Sequence, residues 1–172
     1  MGRLPLSVDV LGARFEPITG RILQRPPSHQ TFRGRSFVIC SFCPRKLDFD
    51  PLAVPIPYHH SNLKSEEMIY YVSGKFGSRR EVDVGSITLR PSGPPHGPQP
   101  GLAEKSIGMH ETHELAVMCD TFYPLKLSKF AKDLDDGKYA YSWYENAQDG
   151  EGAEASVDGE GDASGAGLTL HF

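Results

Sequence analysis

An all-β sandwich or barrel is the fold class that the sequence predicts, and three observations carry it. Short apolar runs rich in β-branched and aromatic residues recur along the chain: SFVICSFC from Ser36, MIYYVSG from Met68, VGSITLRP from Val84 and HELAVMCDTFYPL from His113. Gly and Pro separate these runs at spacings of roughly ten residues. A single stretch, LSKFAKDLDD over residues 127–136, has helical periodicity, with Leu127, Phe130, Ala131 and Leu134 on one face. Short strands with dense turn signals and almost no helix point to one sheet packed on another or closed on itself.

The elements follow in order. Residues 1–35 form a lead-in of short apolar pieces broken by Gly, Pro and Arg, where Pro26 and Pro27 force an extended or turning backbone before His29. Residues 36–145 carry the strand-like runs and make the barrel, with the short helix near its end placed to close the barrel or cover an edge. Pro124 closes the last strand-like run, because proline cannot donate to a ladder. Residues 146–172, built largely of Gly, Ala, Ser, Asp and Glu, bury too little apolar surface to offset the cost of ordering and are expected to be disordered.

Composition excludes several classes. The 172 residues include 18 basic and 22 acidic side chains; six of the acids lie in residues 149–172, where there is no Lys or Arg. Setting those six aside leaves 16 acids against 18 bases, a near-neutral body unlike the clustered basic face of a nucleic-acid binder. No run approaches the roughly 18 apolar residues that a membrane-spanning helix needs. The first dozen residues hold a Pro and an Asp where a signal peptide would place its apolar stretch. Cys40, Cys43 and Cys119 are odd in number and too few for a disulfide scaffold, so a cytoplasmic, reducing location is expected, with no nucleic-acid or membrane partner.

Two spacings carry the chemistry. Gly85 to His96 reads G-x5-P-x-G-x2-H, a strand followed by a Pro/Gly turn that delivers a histidine. Upstream, His60, Asn62, Glu67 and Gly74 spell H-x-N-x4-E-x6-G, running into MIYYV. The two elements resemble the paired motifs of the cupin superfamily, with Asn62 where a second His usually stands and Val54 in place of the first Gly. That resemblance implies a double-stranded β-helix, a jelly-roll-like barrel whose motif residues gather one metal ion. The residues left to do so are His60, Glu67 and His96, the composition of a facial triad for non-haem Fe(II). Asn62 would stand beside such a site as a hydrogen-bonding neighbour.

A closer similarity runs through FEPITGR, HQTF, FVICSFCPR, PIPYHHSN, SEEMIYYVSGKF, GSITLRPSGPPHGP and ELAVMCDTFYPL. Together these resemble the carboxy-terminal half of the homogentisate 1,2-dioxygenase family. The resemblance implies Fe(II) held by His60, a glutamate at 66 or 67, and His96. It further implies a proton-accepting role for His29 and a substrate-lining role for Tyr58. The family's own spacing selects Glu66, whereas the six-residue spacing to Gly74 selects Glu67. We select Glu67, since a one-residue slip on a strand reverses the face to which a side chain points. The expected activity is ring cleavage of homogentisate or a related dihydroxylated aromatic acid with O2. The alternative is a truncated or degenerate cupin that acts as a binding or scaffold module without catalysis. Self-association is expected from exposed barrel edges.

Other residues of metal-binding type have plainer readings. The Cys40-x2-Cys43 pair lies in a strand-like run without a second pair to complete a zinc site, which suggests buried thiols. Alternation sets His59 opposite His60 and distributes His110 and His113 to surface or edge positions.

Overall fold

The computed structural model describes residues 19–20, 29–145 and 170–171. Strands dominate, as the sequence predicts: β1 (His29–Arg33), β2 (Phe37–Phe42), β3 (Arg45–Lys46), β4 (Glu66–Ser73), β5 (Ile87–Arg90), β6 (Glu111–Thr112), β7 (Leu115–Thr121) and β8 (Leu170–His171). The helical pieces are short: α1 (Leu102–Ser106), α2 (Lys129–Asp133), a 3-10 turn (Tyr139–Tyr141) and α3 (Ser142–Glu145). Among the described residues no helix is long and apolar enough to cross a membrane.

Six strands form one sheet in the order β1-β2-β7-β4-β5-β8, while β3 and β6 form a second sheet of two strands. Pairing is antiparallel throughout the large sheet except between β5 and β8, which run parallel. Strand β7 comes late in the chain yet lies between β2 and β4, the kind of crossed connection that builds a cupin-like β fold rather than a simple meander. The sheet begins at β1, inside the stretch read from sequence as a lead-in. Most of the acidic tail, residues 146–169 and 172, lies outside the described residues. Leu170 and His171 pair with Ile87 and Thr88.

Alternation along the central strands decides what faces the interior. On β4, Glu67, Ile69 and Tyr71 are buried, while the intervening Met68 and Tyr70 turn outward and Tyr70 is 40% exposed. On β7, Ala116 and Met118 are buried, and Val117 between them is exposed. These inward residues, with Cys40, Val82 and Tyr139, make up the core, onto which Phe42, Phe76 and Trp143 pack. Each large apolar side chain removed from water here contributes on the order of 1.5–3 kcal/mol. The aromatic part of MIYYV is thus divided between core and surface, not wholly interior as its composition suggests.

One further expectation is met differently. Helix α2 does form within residues 127–136, and the Ser128 side chain accepts a hydrogen bond from the Ala131 backbone N–H at 3.1 Å. Its apolar face is nevertheless uncovered among the described residues, with Phe130 79% exposed, because five residues make too short a helix to lay a stripe on the sheet. The packing falls instead to the turn just after it. Tyr139 is buried, meets the Trp143 ring edge to face at 5.2 Å, and joins Tyr71 in the core. The aromatic residues of KYAYSWYE follow no helix or strand period that marks which of them is buried.

Gly74, the last residue of the first motif, has φ of 95°, and a Cβ built on it would lie 2.1 Å from the His113 carbonyl oxygen. Both the left-handed backbone and the close approach of the segment before β7 therefore require glycine. Gly74→Ala is expected to lower folding stability by roughly 3 kcal/mol, measured as a shift in urea midpoint at unchanged slope.

Candidate metal centre

The site is assembled by a backbone clasp between two loops. His60 lies in the long connection from β3 to β4, and His96 follows the Pro/Gly turn after β5. The His60 N–H donates to the His96 carbonyl at 2.8 Å, and the His96 N–H donates to the His60 carbonyl at 2.7 Å. The imidazoles consequently stand side by side, ring centroids 4.5 Å apart and inclined at 64°. Gly97 makes room for this: a Cβ there would lie 2.6 Å from the His59 ring. His59 itself is exposed, as alternation predicts.

Glu67 completes the cluster from β4. It is 5% exposed and faces the same cavity, and His60, Glu67 and His96 offer ligand atoms that all lie within 4.8 Å of one another. Glu66, the rival carboxylate, points the other way and accepts a hydrogen bond from the Leu125 backbone N–H at 2.5 Å. Pairing across the sheet also arranges the neighbours of Glu67. Arg90 on β5 stands directly opposite on one side and Asp120 on β7 on the other. The Arg90 guanidinium bonds Glu67 Oε1, which leaves Oε2 turned toward His96.

The hydrogen bonds select ring tautomers suited to a cation. His60 Nδ1 lies 2.9 Å from the Tyr58 carbonyl and His96 Nδ1 lies 3.3 Å from the Pro94 carbonyl. A carbonyl can only accept, so each Nδ1 carries the proton and each Nε2 presents a lone pair. His96 Nε2 is buried without a hydrogen-bond partner, and Glu67 Oε2 at 3.7 Å is too far to supply one. A cation among His60, Glu67 and His96 would satisfy that atom, and a donor set of two nitrogens and one carboxylate oxygen fits a divalent transition metal.

Electrostatics keep the rings in the ligating form. Burial pushes both imidazoles below the ordinary 6.5. The Arg90 and Arg79 charges act on both in the same direction, while the Tyr58 and Pro94 carbonyls pull back. Asp120 is pushed above the usual carboxylate range by burial, partly offset by His96 and Arg90, and its Oδ1 is buried without a partner.

The centre opens into a cavity of about 400 Å³. Ile56, Ile69, Tyr71 and Met118 contribute apolar wall, while Arg45, Arg79, Arg90 and Asp120 contribute charge. Tyr58 stands at the rim, 49% exposed, its ring 5.6 Å from that of His60. Asn62 also lines the cavity. His29 opens β1 opposite Ser41, two strands removed from β4, and its side chain lies outside the described residues.

The remaining candidates stand apart from the His60–Glu67–His96 cluster, although His113 lines the cavity. Cys40 and Cys43 are buried and form no disulfide, with Cys40 pushed up to about 11 by burial and by Asp120. His110 and His113 are exposed, and His113 pairs with Glu111 at 3.3 Å. Sequence reasoning missed Arg79, Arg90 and Asp120. Asp120 was within reach, since Ala116, Met118 and Asp120 share one strand face; Arg79 lies in the turn SRRE, which has no period to read.

The chain is 46% identical over 132 residues to a "Putative dioxygenase" of Saccharolobus solfataricus, covering 76% of this chain and 34% of that one. It is 30% identical over 152 residues to a homogentisate 1,2-dioxygenase of Rhizobium etli, covering 84% of this chain and 31% of that one. The corresponding Rhizobium rhizogenes enzyme is 29% identical over the same shares. The chain thus spans about a third of the length of the curated relatives it matches. No protein-family model and no solved structure matches the chain.

Glu67→Gln is expected to weaken metal retention by about 100-fold, while Glu66→Gln leaves it within a few-fold of the parent, read by metal analysis after desalting. The histidine shifts predict a pH dependence. The folded chain binds fewer protons at these rings than the unfolded chain, so the metal-free protein loses stability as pH falls below about 6.5 toward the lowered folded-state values. Urea unfolding between about pH 8 and pH 5.5 shows the decline, which is smaller in His96→Gln.

Proposed function

We propose, for a chain related in sequence to the homogentisate 1,2-dioxygenases, that it provides the mononuclear Fe(II) centre of a cytoplasmic ring-cleaving dioxygenase acting on homogentisate or a related dihydroxylated aromatic acid. The observation that carries this reading is the buried, unpartnered Nε2 of His96, set beside His60 and the free oxygen of Glu67.

His60, Glu67 and His96 would hold the iron from one side and leave the cavity side open. When bound, Fe(II) supplies coordination positions for a phenolate and for O2, and the electrons that O2 activation requires. The chain's own residues do the rest. Arg90 fixes the Glu67 carboxylate through Oε1 and so decides which oxygen faces the centre. Ile56, Ile69 and Met118 provide an apolar bed for an aromatic ring and keep water away from it. Tyr58 contacts substrate at the rim, and His29 keeps the proton-accepting role that the family resemblance assigns to it. Three cysteines that form no disulfide are compatible with the cytoplasmic placement.

The chain covers only a third of its relatives' length, which supports a second reading: a metal-binding module without turnover. Anaerobic loading with Fe(II), then oxygen-electrode assays with homogentisate, separates the two. The dioxygenase reading expects about one iron per chain and diol-dependent O2 uptake, both lost in His96→Ala. Stoichiometric iron with no uptake of O2 across dihydroxylated aromatic acids would leave only the module.

A further inference from the structure

Among the described residues three arginines line the cavity, and they differ in what neutralises them. Arg90 bonds Glu67, and Arg45 lies 3.6 Å from the Glu114 carboxylate. Arg79 enters none of the ion pairs among the described residues. It is nevertheless 8% exposed. Its NH1 donates to the carbonyls of Ser78 and Gly97, each at 2.7 Å, and its Nε is buried with no hydrogen-bond partner. The Trp143 ring covers the guanidinium at 5.7 Å. Glu114 feels the Arg79 charge but is committed to Arg45.

Carbonyl dipoles and a π face soften a buried cation without neutralising it. Arginine has no route to relieve the charge by losing its proton. A buried guanidinium that lines a cavity, keeps a spare N–H and enters no ion pair among the described residues is half of a charge-assisted pair whose other half is planar and anionic. We propose that Arg79 is the anion-recognition residue of the cavity and takes the carboxylate of an aromatic acid, which makes it the residue that separates acids from uncharged diols. This rests on reading the cavity as the site of such an acid. Placement supports it: Arg79 bonds the carbonyl of Gly97, the residue after His96, so the anion-binding end and the metal-binding end are joined by one backbone segment. A ring in the cavity would lie between them, with its hydroxyls toward His96 and its acid arm toward Arg79.

Phenylacetate is the probe, because it carries the carboxylate and has no hydroxyl to reach a metal. Titration calorimetry on the full, metal-free chain is expected to show binding of phenylacetate and at least about tenfold weaker binding of the neutral phenylacetamide. Arg79→Gln is expected to lose that preference, and Arg79→Lys to keep part of it with a parent-like melting profile. The acid-against-amide comparison on the parent chain needs no variant, so it stands even where Arg79→Gln fails to fold. Equal binding of acid and amide by the parent, no binding of either, or a folded Arg79→Gln that binds the acid like the parent would each overturn the proposal. On the Fe(II)-loaded chain, Arg79→Gln is expected to raise KM for homogentisate at least about tenfold more than it raises KM for uncharged methylhydroquinone. Phenylacetate preference without any O2 uptake would remove the dioxygenase reading and leave Arg79 in place. Uptake with an unchanged homogentisate KM in Arg79→Gln would remove Arg79 alone.

Discussion

The pair of backbone hydrogen bonds between His60 and His96 is the constraint from which the rest of the centre follows. The two residues are 36 positions apart and neither lies in a named strand, so their side chains have no ladder to hold them. Reciprocal N–H to carbonyl bonds at 2.8 and 2.7 Å supply a ladder of a single rung. That rung explains why the second motif needs its Pro/Gly turn, which brings the chain back to His60. It also explains why Gly97 follows the histidine, where a side chain would strike the His59 ring. Arg79 secures the same segment through the Gly97 carbonyl.

Glu67 depends on different physics. Its direction comes from strand alternation, and its charge is carried at 5% exposure because Arg90 stands opposite on the neighbouring strand. An isolated buried carboxylate would be costly. A carboxylate with one oxygen engaged by arginine and the other turned toward two neutral imidazoles is both tolerable and ready for a cation. Burial lowers the imidazole pKa values, so the same enclosure that makes the carboxylate costly keeps the rings in the ligating form.

Much of this was legible in the sequence, and the reasons are particular. The strands could be read because β-branched and aromatic runs were bounded by Gly and Pro. Glu67 could be preferred over Glu66 because its spacing to Gly74 fixed which face it occupied, and the structure gives Gly74 a backbone and a contact that only glycine allows. What stayed hidden depended on tertiary contact. The stripe on α2 looked like a packing surface but belongs to a helix of five residues, while the buried aromatic turn at Tyr139 and Trp143 had no periodicity to announce it. Arg79 and Arg90 carry no motif or period in the sequence, and only the fold sets them against a cavity. The roles of His29 and of the acidic tail rest on residues or side chains outside the described ones.

The aromatic turn has one more consequence. Gln99, 1% exposed, donates to Ser142 Oγ at 2.6 Å, so the segment that carries His96 is latched to the helix that carries Trp143. The sequence holds a single tryptophan, and its indole lies over the Arg79 guanidinium. Indole emission follows the local electric field, so an anion arriving beside that guanidinium is reported by a single indole, with no second tryptophan to compete. The protein carries its own optical gauge of what enters the cavity, and needs no label to be watched.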